Sequence, residues 1–321
     1  MMARMAEELG RAGKVLLAAH RDPDGDALGA TLGLMHLLQA QGKEVFAHSA
    51  GPVPAEYEFM PGLDRLSPAM PAPDWPDLAV LLDCHDPERA GAAAADFLPR
   101  TRRIAVVDHH LGRADFGQAV WVEPDYAATC EMLGFMAGEA GWAIGPEAAT
   151  CLFVGVQTDT GRFSYSNARP RTYRLGAELV ELGADPWAIS QQAYSSSLAR
   201  LKIMGRVFAG LKLVAGERVA LAKVAQADLA ELGAVSSDLD RVVEELRAIR
   251  GVEVALLIKE LKGGGVKVSL RSRGRVDVGS LAIGLGGGGH KNAAGVRLES
   301  GMDEAEARLA GLLARGLGEK A

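Results

Sequence analysis

Val15–Asp26, VLLAAHRDPDGD, sets the fold of this chain. Its apolar half, Val15–Ala19, is the unbroken run that a strand covered on both faces requires. The run ends at His20, and Asp24 and Asp26 follow within a few residues. An imidazole and two carboxylates so close together are costly to bury unless cations neutralise them. The stretch therefore predicts a buried strand with a metal site at its carboxyl end. On either side, residues 2–13 form an amphipathic pattern with Met5, Leu9 and Ala12 on one side. Ala27–Gln41 reads as a helix closed by Gly42, and Glu44–His48 as a second strand.

The same form recurs downstream. Leu78–Asp83, LAVLLD, and Arg103–Asp108, RIAVVD, are apolar strands ending in aspartate, and the second runs into His109 and His110. Val120–Val122 reads as a further strand, and residues 127–140 and 169–183 as helices. The prolines between residues 51 and 77 preclude a long strand or helix there. Glu147–Thr158 is small and apolar, of open type, and leads to Asp159 near Arg162. This alternation over residues 1–185 predicts an α/β fold whose larger N-terminal domain is an open, mostly parallel sheet with helices on both faces.

In such sheets ligands gather beyond the carboxyl ends of the strands, where the strand order reverses. His20, Asp24, Asp26, Asp83, Asp108, His109, His110 and Asp159 are accordingly expected along one edge. Carboxylates gathered there repel one another, and two divalent ions cancel that charge. Oxygen and imidazole donors without thiolate suit Mn2+, with Mg2+, Co2+, iron and zinc as rivals. Two ions about 4 Å apart lower the pKa of a shared water and hold a phosphoryl group for in-line attack. Hydrolysis of a phosphate ester or anhydride follows as the expected chemistry.

A length of 321 residues suits two cores. The formal charge of −6 argues against a protein that coats long nucleic acid, and any anionic substrate should be short. Cys84, Cys130 and Cys151 are widely spaced and form no CxxC pair, which reads as buried free thiols in a reducing compartment. Neither an export leader nor a membrane-spanning run is legible, so a cytoplasmic protein is expected.

Residues 186–206 read as a helical connector. From residue 207 the pattern shifts to short alternating segments, with strands at Phe208–Val214, Val219–Val224, Val254–Glu260 and Gly265–Arg271 and helices at Leu239–Ile249 and Asp303–Arg315. A smaller mixed α/β domain over 207–321, across a cleft from the first, is expected. Its sharpest stretch is LGGGGHKNAAG at 285–295, where the absence of Cβ atoms lets backbone approach an anion closely; a mobile turn is the plain alternative.

HRDPDGDALGA at 20–30, LLDCHD at 81–86, VVDHH at 106–110 and VGVQTDTGRFSY at 154–165 resemble the successive motifs of the DHH phosphoesterase superfamily. With the glycine-rich histidine loop, the chain is most similar to the bifunctional oligoribonuclease and 3′-phosphoadenosine 5′-phosphate phosphatase family, the nanoRNases. The resemblance implies a catalytic domain over 1–185, the connector over 186–206 and a DHH-associated substrate-binding domain over 207–321. It implies one Mn2+ on His20, Asp24 and Asp83 and a second on Asp26, Asp83, His109 and Asp159, with Asp83 bridging. Asp108 would orient the metal shell, His110 would face the substrate phosphate, and Arg162 would pair with that phosphate. Arg271, Ser272, Arg273, Gly287, Gly288, Gly289 and His290 would bind substrate.

The implied substrates are short 5′-phosphorylated RNA or DNA oligonucleotides and linear dinucleotides, cut to mononucleotides, and adenosine 3′,5′-bisphosphate, cut to AMP. No membrane and no long double-stranded nucleic acid is implied, and a homodimer is open. A cyclic-dinucleotide phosphodiesterase, a manganese inorganic pyrophosphatase and a non-catalytic phosphate-binding module stand as alternatives.

Overall fold

The computed structural model describes residues 1–239 and 242–318. Asp240 and Arg241, which fall in the expected Leu239–Ile249 helix, and residues 319–321 lie outside the described residues. The chain divides into two units, Met1–Ser195 and Ser196–Ala321.

The first unit runs α1 (Met2–Arg11), β1 (Lys14–Ala18), α2 (Gly25–Gln39), β2 (Glu44–His48), β3 (Leu66–Ser67), β4 (Leu78–Leu82), α3 (Ala92–Phe97), β5 (Ile104–Asp108), β6 (Ala119–Val122), α4 (Thr129–Glu139), α5 (Pro146–Asp159), α6 (Pro170–Glu181) and α7 (Pro186–Ala193). Its six strands pair in parallel in the order β3-β2-β1-β4-β5-β6. Every residue of β4 is buried, the pattern of a central strand covered on both faces. One face carries Val15, Leu17, Val80, Leu82 and Val107 into a core with α1, α2, α4 and α5. The other carries Leu16, Ala18, Leu81 and Val106 against Ala94 and Phe97 of α3. The chain winds outward from β1 in one direction and from β4 in the other, so the reversal lies between these two strands. There the crossovers diverge and leave room beyond the carboxyl ends.

The α2 helix is buried almost all round, as a helix apolar on every side must be. It packs on α5 through glycines: a Cβ on Gly29 would lie 2.5 Å from the Cys151 carbonyl, and one on Gly155 would lie 2.6 Å from Asp26 Oδ1. This close approach sets the start of α2 beside α5. The run ending at Asp159 is thus a helix rather than a strand, with Pro146 in its first turn, where proline's missing N–H costs nothing.

The second unit runs α8 (Leu198–Ala209), β7 (Lys212–Val214), β8 (Val219–Val224), α9 (Gln226–Leu232), α10 (Val242–Ala248), β9 (Val254–Glu260), β10 (Val266–Ser272), α11 (Val278–Gly284), β11 (Gly288–His290), β12 (Ala293–Leu298) and α12 (Met302–Gly316). Its sheet has the order β11-β12-β10-β9-β8-β7, and only β8 and β9 are parallel, so it is mixed. Val254, Leu256, Val268 and Leu270 face α11 and α12, while Ala220, Ala222 and Leu257 face α8, α9 and α10.

Three expectations change here. The 186–206 connector breaks at Tyr194–Ser197, where the Ser197 hydroxyl accepts from the Arg200 N–H and starts a new helix. Phe208 therefore belongs to α8, and β7 begins only at Lys212. The glycine loop is a β-hairpin: a Cβ on Gly287 would meet the Gly295 carbonyl at 2.3 Å, and one on Gly289 the Ala293 carbonyl at 2.5 Å. Close backbone approach, not mobility, requires glycine at these two positions.

Candidate metal centre

The β1–β4 reversal delivers His20 just past β1 and Asp83 just past β4. Asp83 takes φ of 55°, a left-handed conformation uncommon outside glycine, which turns its side chain back toward the sheet end. Its two oxygens look opposite ways. Oδ2 lies 3.3 Å from His20 Nε2, while Oδ1 lies 3.5 Å from His109 Nε2 and accepts the Thr129 hydroxyl at 3.0 Å.

On the Oδ2 side, His20 Nε2 also lies 3.8 Å from Asp24 Oδ1. Asp24 caps α2, accepting the N–H groups of Asp26 and Ala27, which fixes its carboxylate at the helix start. On the Oδ1 side, His109 Nε2 is 3.1 Å from Asp159 Oδ2 and 3.7 Å from Asp26 Oδ2. Asp26 is fully buried in the first turn of α2 and accepts the backbone N–H groups of Thr129 at 2.6 Å and Cys130 at 2.9 Å. Asp159, the last residue of α5, completes this side. Three groups have ligand atoms within 4.8 Å of one another: His20, Asp24 and Asp83; Asp83, His109 and His110; and Asp26, His109 and Asp159, so Asp83 joins the first two and His109 the last two.

The electrostatics describe a site built for cations. Burial, reinforced by Asp159, pushes the Asp26 carboxyl up to about 6. Burial and the charges of Asp26, Asp24, Asp159 and Asp108 push Asp83 well above the usual carboxylate range. Burial lowers His20, which favours the neutral imidazole that a metal needs. For His109 burial also acts downward, but the carboxylates of Asp159 and Asp26 prevail and raise it to about 9. Its Nε2 is buried and makes no aligned hydrogen bond, although three carboxylates surround it. Such an orphaned nitrogen facing oxygens on several sides fits an imidazole whose partner is a divalent ion, and the donor set is nitrogen and oxygen only. Cys130 lies against this cluster, its thiol pushed up by burial and by the Asp26 carboxylate, and its backbone N–H is turned to that carboxylate.

Asp108 and His110 stand beside these clusters in a different arrangement. His110 donates Nδ1–H to Asp108 Oδ1 at 2.8 Å, and its backbone N–H donates to the same oxygen at 3.0 Å. The other oxygen, Oδ2, meets His85 Nδ1 at 2.5 Å. Burial would raise the Asp108 carboxyl, but the bonds from His110 and His85 outweigh it and hold it down to about 2. A permanent carboxylate therefore fixes the His110 ring and leaves Nε2 for another partner. Sequence reasoning missed His85; the signal for it was its place two residues after Asp83, within LLDCHD at 81–86. His85→Ala should lower kcat about 10- to 100-fold while leaving the number of bound metal ions unchanged, as removal of a carboxylate's anchoring partner does; kcat and metal content per chain measure this.

Arg162 lies further out. Residues 161–163 all take left-handed φ near 60°, a tight turn after α5 secured by the Arg162 N–H on the Gln157 carbonyl at 2.7 Å. The Arg162 guanidinium stacks over the Tyr194 ring, 4.7 Å from its centroid, which leaves its edge for hydrogen bonds.

The remaining residues expected from the sequence to bind substrate lie in the second unit. Arg271 donates to Glu244 Oε1 at 2.8 Å. Ser272 is buried, and its hydroxyl accepts the Gly274 N–H at 2.9 Å. Arg273 donates to the carbonyls of Arg247, Ala248 and Ile249, closing the end of α10. His290 is exposed on β11, and Gly288 faces open space, unlike Gly287 and Gly289.

Residues 14–156 match the DHH family, N-terminal domain, and residues 216–315 match the DHHA1 domain. The chain is 32% identical to a bifunctional oligoribonuclease and PAP phosphatase NrnA of Thermus thermophilus, over 91% of this chain and 86% of that one. It is 27% identical to the protein of the same name from Bacillus subtilis, over 93% of each chain. A crystal structure of an exopolyphosphatase-related protein from Bacteroides fragilis superimposes with a TM-score of 0.89 at 27% identity, covering 99% of this chain and 97% of that one. With the four motifs converging at the β1–β4 reversal and both domains matched in order, the chain belongs to the DHH family, in its NrnA-like branch.

Proposed function

We propose that this chain hydrolyses the phosphate esters of very short oligonucleotides to mononucleotides and removes the 3′-phosphate of adenosine 3′,5′-bisphosphate. The observation that carries this is Asp83, a buried carboxylate with one oxygen toward His20 and the other toward His109. Names carried by the NrnA relatives supply the substrate class. Two divalent ions, Mn2+ foremost given the nitrogen and oxygen donors, would be held by His20, Asp24 and Asp83 and by Asp26, Asp83, His109 and Asp159. When bound they would supply Lewis acidity and a water of lowered pKa.

The chain's own side chains do the rest. His110, its ring fixed by Asp108, presents Nε2 to a nonbridging phosphoryl oxygen. Arg162, held over the Tyr194 ring, offers its N–H groups to developing negative charge. In the second unit Arg271 and His290 take the phosphate at the 5′ end, and Ser272 and Arg273 hold the end of β10 in the shape that presents Arg271. No helix among the described residues is long and apolar enough to cross a membrane.

The test is a turnover panel in Mn2+: 5′-phosphorylated RNA and DNA of increasing length, linear and cyclic dinucleotides, adenosine 3′,5′-bisphosphate and pyrophosphate. The expected result is faster release of mononucleotides from short linear strands than from long ones, with AMP from the bisphosphate. Preference for pyrophosphate, for the longest strands or for cyclic dinucleotides would replace this proposal with an alternative activity, and no turnover at all would leave a binding module.

A further inference from the structure

Lys259, Lys267 and Arg297 stand in one row across three neighbouring strands of the second unit. Lys267 on β10 is directly opposite Lys259 on β9 and Arg297 on β12. All three lie on the face away from the core that takes Val266, Val268, Val296 and Leu298. Like charges directly opposite on adjacent strands are destabilising. The Lys259 ammonium donates to the Ser236 hydroxyl, but Lys267 and Arg297 make no hydrogen bond or ion pair among the described residues. The fold thus keeps two neighbouring cations, Lys267 and Arg297, that no anion among the described residues balances.

Lys259 and Lys267 line one end of a cavity of about 350 Å³ together with Val243, Glu244, Ser269 and Arg271, and Arg297 stands beside Lys267 on the next strand. Beyond the row the floor is small: Ser269 pairs with Gly295, and Gly295 with Gly288. At the far end Arg271 is opposite Ala293, which is opposite His290. Arg271 and Lys267 are four residues apart on β10, about 13 Å at the strand rise. A single phosphate does not reach both. Glu244 supplies the acidic side chain of this lining; Oε1 takes Arg271, and Oε2 is buried without a partner. A carboxylate acceptor repels a bare polyphosphate but pairs with the hydroxyl or amino hydrogens of a nucleotide lying between two phosphates.

We propose that the Lys267–Arg297 row holds a second phosphate, downstream of the one at Arg271 and His290, so that this unit measures a strand of at least three nucleotides rather than a single terminal phosphate. This rests on the proposed function, in which Arg271 and His290 take the 5′ phosphate. It adds Lys267 and Arg297 as residues that set substrate length.

The test is equilibrium binding of a 5′-phosphorylated trinucleotide to the full chain in excess chelator, where turnover does not intervene, over a series of salt concentrations. The double variant Lys267→Ala, Arg297→Ala should weaken binding about tenfold and flatten the log–log salt dependence by about 0.7 for each phosphate charge that the protein no longer neutralises. The exchange Lys267→Arg, Arg297→Lys should restore both. Melting temperature of the alanine variant should be equal to or above that of the parent, since like-charge repulsion is relieved. Unchanged affinity and salt slope in the alanine variant would overturn the proposal, as would equal or tighter binding of inorganic tripolyphosphate by the parent chain. Row-dependent binding in a chain that hydrolyses none of the oligonucleotide panel would keep this inference and sink the proposed activity, so the two failures are distinct.

Discussion

Asp83→Asn should lower kcat/KM by at least about 10³-fold and, in the same protein, raise the melting temperature of the metal-free form. Loss of activity follows because the one carboxylate that faces both clusters no longer carries charge, removing roughly 4 kcal/mol of the several that divalent ions provide at a phosphoryl transition state. Gain of stability follows because burial and four neighbouring carboxylates make the ionised Asp83 side chain unfavourable when cations are absent. Asparagine keeps the shape, still accepts the Thr129 hydroxyl, and tolerates the left-handed φ of 55° better than most residues. A gain on the order of 1 kcal/mol corresponds to about 2–4 °C in a chain of this size. Calorimetry in chelator, beside steady-state kinetics in Mn2+, checks both halves. A metal-free variant that melts well below the parent would mean that Asp83 holds the fold together rather than a pair of ions.

The second large effect is in pH. In chelator, stability should fall between pH 6.5 and pH 9. Asp26 is raised from 3.8 to about 6, so its contribution is fully present below about pH 4 and is lost as pH rises through 6. A shift of about two units is worth about 3 kcal/mol. His109 is raised from 6.5 to about 9 and acts with the same sign, its contribution lost as pH rises from 6.5 through 9. Asp83 adds in the same direction. His20 and His48, both lowered by burial, run the other way below pH 6.5, and Asp108, lowered to about 2, does so only below pH 4, so the range from pH 6.5 to 9 is left to the falling contributions. Bound divalent ions take the place of these protons, so the stabilisation on adding Mn2+ should be small at pH 5.5 and large at pH 8.5. At a hundredfold excess over Kd each site contributes about 2.7 kcal/mol. Melting curves with and without Mn2+ at several pH values measure this, and a metal-induced shift that does not change with pH would contradict it.

The strand-end aspartates were legible because parallel central strands are written as unbroken apolar runs, and a carboxylate at the end of such a run has few structural uses. Asp26 and Asp159 were legible as acids but not as helix residues. Asp26 lies in the first turn of α2 and Asp159 at the last residue of α5, and their meeting depends on Gly29 and Gly155, whose close packing no local pattern announces. In the second unit, the hairpin of β11 and β12 was hidden by four glycines, which weigh against a strand when read alone. Ser272 and Arg273 were expected to bind substrate from the resemblance alone, and the bonds of their polar atoms at the ends of β10 and α10 are a use that only the tertiary arrangement reveals. The Lys259–Lys267–Arg297 row was invisible for the same reason, since register between strands distant in sequence sets it.

Anomalous scattering from crystals grown in Mn2+ tests the central claim most directly. Two manganese peaks about 3.5–4 Å apart are expected, one on each side of the Asp83 carboxylate, the first against His20 and Asp24 and the second against Asp26, His109 and Asp159. A single peak, or peaks that do not contact Asp83, would contradict it.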